Sequence, residues 1–164
     1  MQAITYSNQK NHQSIREKIS WKIAYGLKPL YFFMRRNRKA WDINMNDLQN
    51  MNPGTLGNDL YMFLKQHNLR IMPKAEFHDV YHVLFEYGTD IKSETLVQFV
   101  PLGNGRRSLP FLACTFVSAL FYPEFWNDFF IAYMRGKNAS SFHNLDFESR
   151  LTENTANLRK EIFG

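Results

Sequence analysis

A single cysteine, Cys114, stands in the 164 residues, so no internal disulfide can hold the chain and a reducing compartment is expected. Set in Phe111-Leu112-Ala113-Cys114-Thr115-Phe116, it reads as a small core residue rather than a nucleophile. There is no long hydrophobic run. The uncharged stretch Leu109 to Tyr122 falls short of the ~20 residues a helix needs to cross a bilayer. Met1 to Lys10 is polar, and no signal peptide is expected. There is no internal repeat, no Gly-rich phosphate loop and no Gly-x-Ser-x-Gly elbow. Alternating strand patterns are also missing, which leaves an all-α fold.

What the sequence does have is aromatic residues, 16% of the chain with 15 Phe, and a net charge of +5. The length fits one domain with a sizeable core. Residues 1–14 read as a mobile tail rich in Gln, Asn and Ser, and residues 15–164 as a single helical domain. Ile15, Ile19, Ile23 and Leu27 recur every fourth residue and predict a helix over Ile15 to Lys39, kinked at Pro29. That segment ends in an aromatic block containing Phe32 and Phe33, then a cationic block of Arg35, Arg36, Arg38 and Lys39. Rings in an interface and cations on anionic headgroups are features of a membrane-surface segment. A core-packed helix with a solvated basic end fits the same pattern. One short basic run in a chain with acidic residues elsewhere does not suit nucleic acid.

Further on, Asn44 or Asn46 is expected to cap a short helix to Asn52, and Thr55 one running from Leu56 to His67. Leu56, Leu60, Phe63 and Leu64 give that helix its apolar stripe, and His67 is expected at its solvent-facing end. A helix starts near Lys74 or Ala75 and breaks at Gly88. The next is capped by Thr89 or Asp90 and stops before Pro101. A flexible loop from Leu102 to Ser108 carries Arg106 and Arg107, which are solvated or hold a carboxylate or phosphate. A buried helix follows, then a break near Pro123 and a second, aromatic helix from Phe125 to Arg135, ended by Gly136. The aromatics Phe111, Phe116, Phe121, Phe125, Trp126, Phe129, Phe130 and Tyr133 exceed what a small core needs. A dimer interface, a channel for an isoprenoid tail and a plain aromatic core all account for them. His143 is expected to be exposed, and Asp146 to cap a closing helix through Leu151, Leu158 and Ile162.

The chemistry concentrates between Phe77 and Glu94. On a helix, His78 and His82 share a face and Asp79 borders it, the three within an arc of about 100°. A chain reversing near Gly88 brings Glu94 back to that face. Two imidazoles and two carboxylates around one point suit a borderline divalent metal. A hydrogen-bonded histidine pair is the simpler alternative. The His-Glu-x-x-His pattern of zinc proteases is not met, because residue 79 is Asp, one methylene too short for that motif's base. Asp79 is therefore a ligand or an orienter of ligands.

His78-Asp79-x-x-His82 followed after eleven residues by Glu94 resembles the signature of the coenzyme Q (ubiquinone) biosynthesis protein 4 family. Asn52-Pro53-Gly54-Thr55-Leu56-Gly57, Val80-Tyr81-His82-Val83-Leu84, Gly88-Thr89-Asp90, Ala132-Tyr133 with Gly136, and Leu158-Arg159 with Ile162 resemble its flanking segments. The resemblance covers roughly Asn44 to Ile162. It implies an all-α single-domain bundle of about seven helices, with a metal site between two adjacent helices and His78, Asp79, His82 and Glu94 as ligands. The activity implied is metal-dependent oxidative decarboxylation of the head group of a prenylated quinone precursor. The ion would be zinc, or cobalt, iron or manganese if oxygen is activated at the metal. The alternative is a non-catalytic lipid-binding scaffold that presents prenylated intermediates to other quinone-biosynthesis enzymes. Implied partners are an isoprenoid lipid, a membrane surface, other quinone-biosynthesis proteins and a second copy of the chain. Eukaryotic members of the family carry a mitochondrial targeting segment that is not seen here. A cytoplasmic protein, peripheral on the inner face of a bacterial membrane, is expected.

Overall fold

The computed structural model describes residues 39–164 together with Ile15, Lys18, Ile19, Lys22, Gly26 and Arg36. Ile15, Lys18, Ile19, Lys22 and Gly26 are helical, in keeping with the first predicted helix. The rest of that helix, the tail and the aromatic residues Phe32 and Phe33 lie outside the described residues, as do Arg35 and Arg38. Arg36 and Lys39 are exposed.

Among the described residues seven α-helices follow: α1 Met45–Gln49, α2 Leu56–Gln66, α3 Glu76–Phe85, α4 Ile91–Gly103, α5 Leu109–Phe121, α6 Trp126–Asn138 and α7 Thr155–Phe163, with a 3-10 turn at Pro123–Phe125. Among the described residues there is no strand, only one isolated bridge between Thr55 and Asn154. Local chemistry sets most of the starts. Asn44 caps α1 in a reciprocal box with Asp47, Thr55 caps α2, Asp90 caps α4 and Asn154 caps α7. Leu56, Leu60 and Leu64 of α2, Val80 and Leu84 of α3, Val97 and Val100 of α4, and Leu158 and Ile162 of α7 are fully or almost fully buried in one core. Each contributes roughly 1.5–3 kcal/mol by leaving water.

Four expectations change. Pro101 lies inside α4 and is buried. It sits in the last turn, so its missing N–H forfeits one bond near the helix end. Gly136 is interior to α6 rather than its terminus. A Cβ there would collide with the Val100 carbonyl, and one on Gly103 with the Tyr133 carbonyl, so paired glycines let α4 and α6 touch backbone to backbone. His143 is half-buried: the Asn104 amide oxygen accepts from its backbone N–H and its Nδ1, both at 3.1 Å, and from Phe142 N–H at 2.8 Å. The same side chain donates to the Ser140 carbonyl at 2.9 Å and the Gly136 carbonyl at 3.1 Å, tying the loop after α6 to the end of α4. Asp146 starts a turn by accepting from Glu148 N–H, while α7 begins only at Thr155.

The aromatic segment divides. Phe129 is buried against Phe99, with ring centroids 4.8 Å apart, whereas Phe116, Trp126 and Phe130 are more than half exposed. Cys114 is half-buried.

Gly136→Ala should lower the melting temperature by at least about 10 °C, equivalent to roughly 2–3 kcal/mol for a domain of this size, or prevent folding. Gly88→Ala, at ordinary φ and with its nearest neighbour at 3.4 Å, should stay within a few degrees of the parent. Thermal unfolding followed by circular dichroism checks both.

Candidate metal centre

Helix α3 is fixed at its start by a buried acid. Glu76, 3% exposed, accepts from Trp41 N–H at 3.1 Å and Lys74 N–H at 2.9 Å, in place of the missing side-chain cap at Ala75. With Val80 and Leu84 facing the core, helical spacing puts His78 and His82 on one side. The chain then reverses near Gly88, as expected, but the turn residue is not the glycine. Glu86 takes the left-handed conformation, with φ of 62°, and closes α3, while Gly88 has no positive φ. Asp90 then caps α4, its Oδ1 accepting from Lys92 and Ser93 N–H at 3.1 Å each. Glu94 therefore stands in the first turn of α4, where the helix dipole favours a negative charge.

The result is a cluster of three. His78 Nε2 lies 3.2 Å from His82 Nε2 and 3.3 Å from Glu94 Oε2, and His82 Nε2 is 3.6 Å from Glu94 Oε1. One ligand atom from each lies within 4.8 Å of the others, and Asp79 is outside this group. Ligand atoms bonded tetrahedrally at ~2.0–2.1 Å to an ion lie about 3.3 Å apart, which matches the observed edges. The donor set agrees. His82 Nδ1 is 3.2 Å from the Tyr87 carbonyl, which can only accept, so Nδ1 carries the hydrogen and Nε2 holds a lone pair in the neutral ring. That lone pair faces a second imidazole nitrogen and a carboxylate, an arrangement that needs a proton or a cation between them.

Electrostatics tell the same story for the metal-free site. Burial works against the charge on His82, but the Glu94 hydrogen bond and charge, the Tyr87 carbonyl and Asp79 outweigh it and raise its pKa. Burial alone would also raise Glu94; hydrogen bonds and charge from His78 and His82 instead bring it down to about 2. A proton shared by these groups would compete with a cation for the same place, so metal binding would release it. Asp79, 9% exposed, is pushed up to about 6 by burial, against the pull of His78 and His82 and with Glu94 and Glu76 adding to the rise. His82 is 2% exposed, while the His78 and Glu94 side chains are 31% and 20% exposed, so the cluster opens to the surface along His78.

Three neighbours of the site were not legible as such. Phe63 stacks on His82 with centroids 5.2 Å apart, and Tyr87 supplies the carbonyl. His67, expected in solvent, is half-buried against Phe63, its Nδ1 3.1 Å from Thr89 Oγ1, and its pKa is lowered by burial and by His82. Phe63, His67, His82, Glu86 and Tyr87 help line an open groove of about 460 Å³. The loop arginines lie outside the ligand cluster. Arg106 packs over Phe77 and Phe111 at 4.8 and 4.5 Å, and Arg107 donates to the Leu102 and Arg106 carbonyls at the end of α4.

Fold and site together define an all-α protein with a two-histidine, one-carboxylate group between consecutive helices. The family model for coenzyme Q (ubiquinone) biosynthesis protein Coq4 matches residues 71–163, more than half of the chain, and the chain belongs to that family, with a role in ubiquinone biosynthesis. No curated protein matches the chain.

Asp79→Asn should change the pH dependence of stability in the metal-free protein. Asp79 has a folded-state pKa raised from 3.8 to about 6, so it contributes stability below pH 3.8 that is lost as pH rises through about 6. Asparagine removes that loss, and the variant should gain up to about 3 kcal/mol on the parent between pH 4 and pH 8. Urea unfolding across this range, in the presence of a chelator, measures the difference.

Proposed function

We propose that the chain carries out the metal-dependent oxidative decarboxylation of the head group of a prenylated quinone precursor, at a membrane surface. What supports this reading is the convergence of His78, His82 and Glu94 at ligand-to-ligand distances of 3.2–3.6 Å within a member of this family. Asp79 is proposed as a further ligand or as the orienter of the histidines. When bound, a divalent ion would act as a Lewis acid toward the substrate's carboxylate or ring oxygen. Zinc suffices for that role; replacing a ring carboxylate by hydroxyl is a net oxidation, and a redox-active ion such as cobalt, iron or manganese is needed if oxygen is activated there.

The remaining work falls to the protein. His82 and Glu94 fix the position of the charge, and part-exposed His78 leaves one side open to substrate. Arg106, stacked on the neighbour of His78 in the chain, and Arg107 are proposed to hold the substrate's carboxylate.

The second reading is a lipid-presenting scaffold, and one observation favours a greasy partner for either reading. Leu109, Phe116, Leu120, Trp126, Phe130 and Ile131, all on α5 and α6, are 55–82% exposed. Large apolar side chains left exposed on two consecutive helices suit a contact with lipid or protein. We assign them to the prenyl lipid and membrane, with a second copy of the chain as the alternative cover. Among the described residues no helix is long and apolar enough to cross a membrane.

In a cell whose ubiquinone depends on this chain, His82→Ala and Glu94→Gln should each lower ubiquinone roughly a hundredfold or more, with accumulation of the precursor that retains its ring carboxylate. Mass spectrometry of lipid extracts reads both. Undiminished ubiquinone in folded variants would leave the scaffold reading in place of the enzyme.

A further inference from the structure

The C-terminal end of α3 is closed by two other helices. The last carbonyls of a helix have no partner within it. Here Arg159 of α7 donates Nη2 to the Val83 carbonyl at 2.8 Å, and Arg135 of α6 donates Nη1 to the Phe85 carbonyl at 2.9 Å. Arg159 also grips the side chain of the reversal, its Nη1 lying 3.1 Å from Glu86 Oε1. Arg135 is held in turn, its guanidinium 4.4 Å from the Phe163 ring of α7 and 5.8 Å from the Tyr87 ring. Glu86 is a non-glycine residue in the left-handed region, a conformation that persists only when its surroundings impose it. The two arginines supply those surroundings, one on each side of Leu84.

This turn carries the site. Tyr87, one residue beyond Glu86, is the carbonyl that fixes the tautomer and ring plane of His82. The same reversal aims α4, and hence Glu94, back at the histidines.

We infer that Arg135 and Arg159 are positioning residues of the metal centre: by capping the carbonyls of the last α3 turn they hold the Tyr87 carbonyl where it orients His82. The inference rests on the metal reading above. A lysine cannot replace Arg159 fully, because one ammonium does not present the planar fork that reaches the Val83 carbonyl and the Glu86 carboxylate together.

The test is cobalt(II) titration of the full chain, followed by ligand-field absorption. Nitrogen NMR of the His82 ring is recorded in the metal-free protein at alkaline pH. Arg159→Gln and Arg135→Gln should weaken cobalt(II) binding by roughly ten- to a hundredfold, shift the absorption bands and mix the two His82 tautomers. Arg159→Lys, the milder change if the glutamine variant does not fold, should fall between parent and glutamine. Arg150→Gln is the control. It breaks the fork between Arg150 and the carboxylates of Glu153 and Glu161, which does not involve α3, and should lower the melting temperature with parental cobalt affinity. Folded Arg135 and Arg159 variants that match the parent in cobalt affinity and spectrum would overturn the inference. So would a loss no greater than that of Arg150→Gln at equal stability. A parent protein that binds no cobalt(II) would instead remove the metal reading, and the clamp would then be judged on the His82 tautomer alone: a single Nδ1–H tautomer lost in the variants supports it, and an unchanged one refutes it.

Discussion

Two imidazole nitrogens and a carboxylate pressed to within 3.2–3.6 Å of one another are the constraint around which the chain is built. Such groups do not gather unaided. Each loses hydration as it approaches the others, and only a shared positive charge repays that loss. Everything that fixes α3 and α4 is in effect a force applied to this cluster. Buried Glu76 holds one end of α3, the arginine-capped turn holds the other, and Asp90 starts the helix that presents Glu94.

The rigidity behind the cluster comes from elsewhere in the chain. Helix α4 carries Glu94 in its first turn and meets α6 at the Gly103 and Gly136 crossing, where the backbones leave no room for a side chain. Asn104 then ties the loop after α6 to the same end of α4. Helix α7 returns to cap α3. The C-terminal third of the sequence thus contributes no candidate ligand yet determines where the ligands stand.

Much of this was legible. Helix starts are written in local side chains, and Asn44, Thr55 and Asp90 were readable as caps because each needs only its next two or three residues. The histidine spacing and the distance to Glu94 were readable for the same reason, since both are periodicities along neighbouring segments. What could not be read was long-range. Gly136 looked like a helix end because a glycine's local signal is the same whether it terminates a helix or admits another backbone. The reversal near Gly88 was readable, but not that Glu86 rather than the glycine takes the left-handed conformation. The role of Asn104 depends on carbonyls more than thirty residues away. His67 was read as solvent-facing because its cover, Thr89 and Phe63, depends on how α2 docks beside the turn after α3.

On the function proposed above, a bound divalent ion would hold a head-group oxygen while the exposed apolar side chains of α5 and α6 would meet lipid. The most direct measurement is anomalous diffraction from crystals of the cobalt(II)-loaded protein. The account requires one strong peak about 2.0–2.2 Å from His78 Nε2, His82 Nε2 and a Glu94 oxygen. A fully folded protein in which the peak lies elsewhere, or in which the Glu94 carboxylate turns away from both rings, would contradict it.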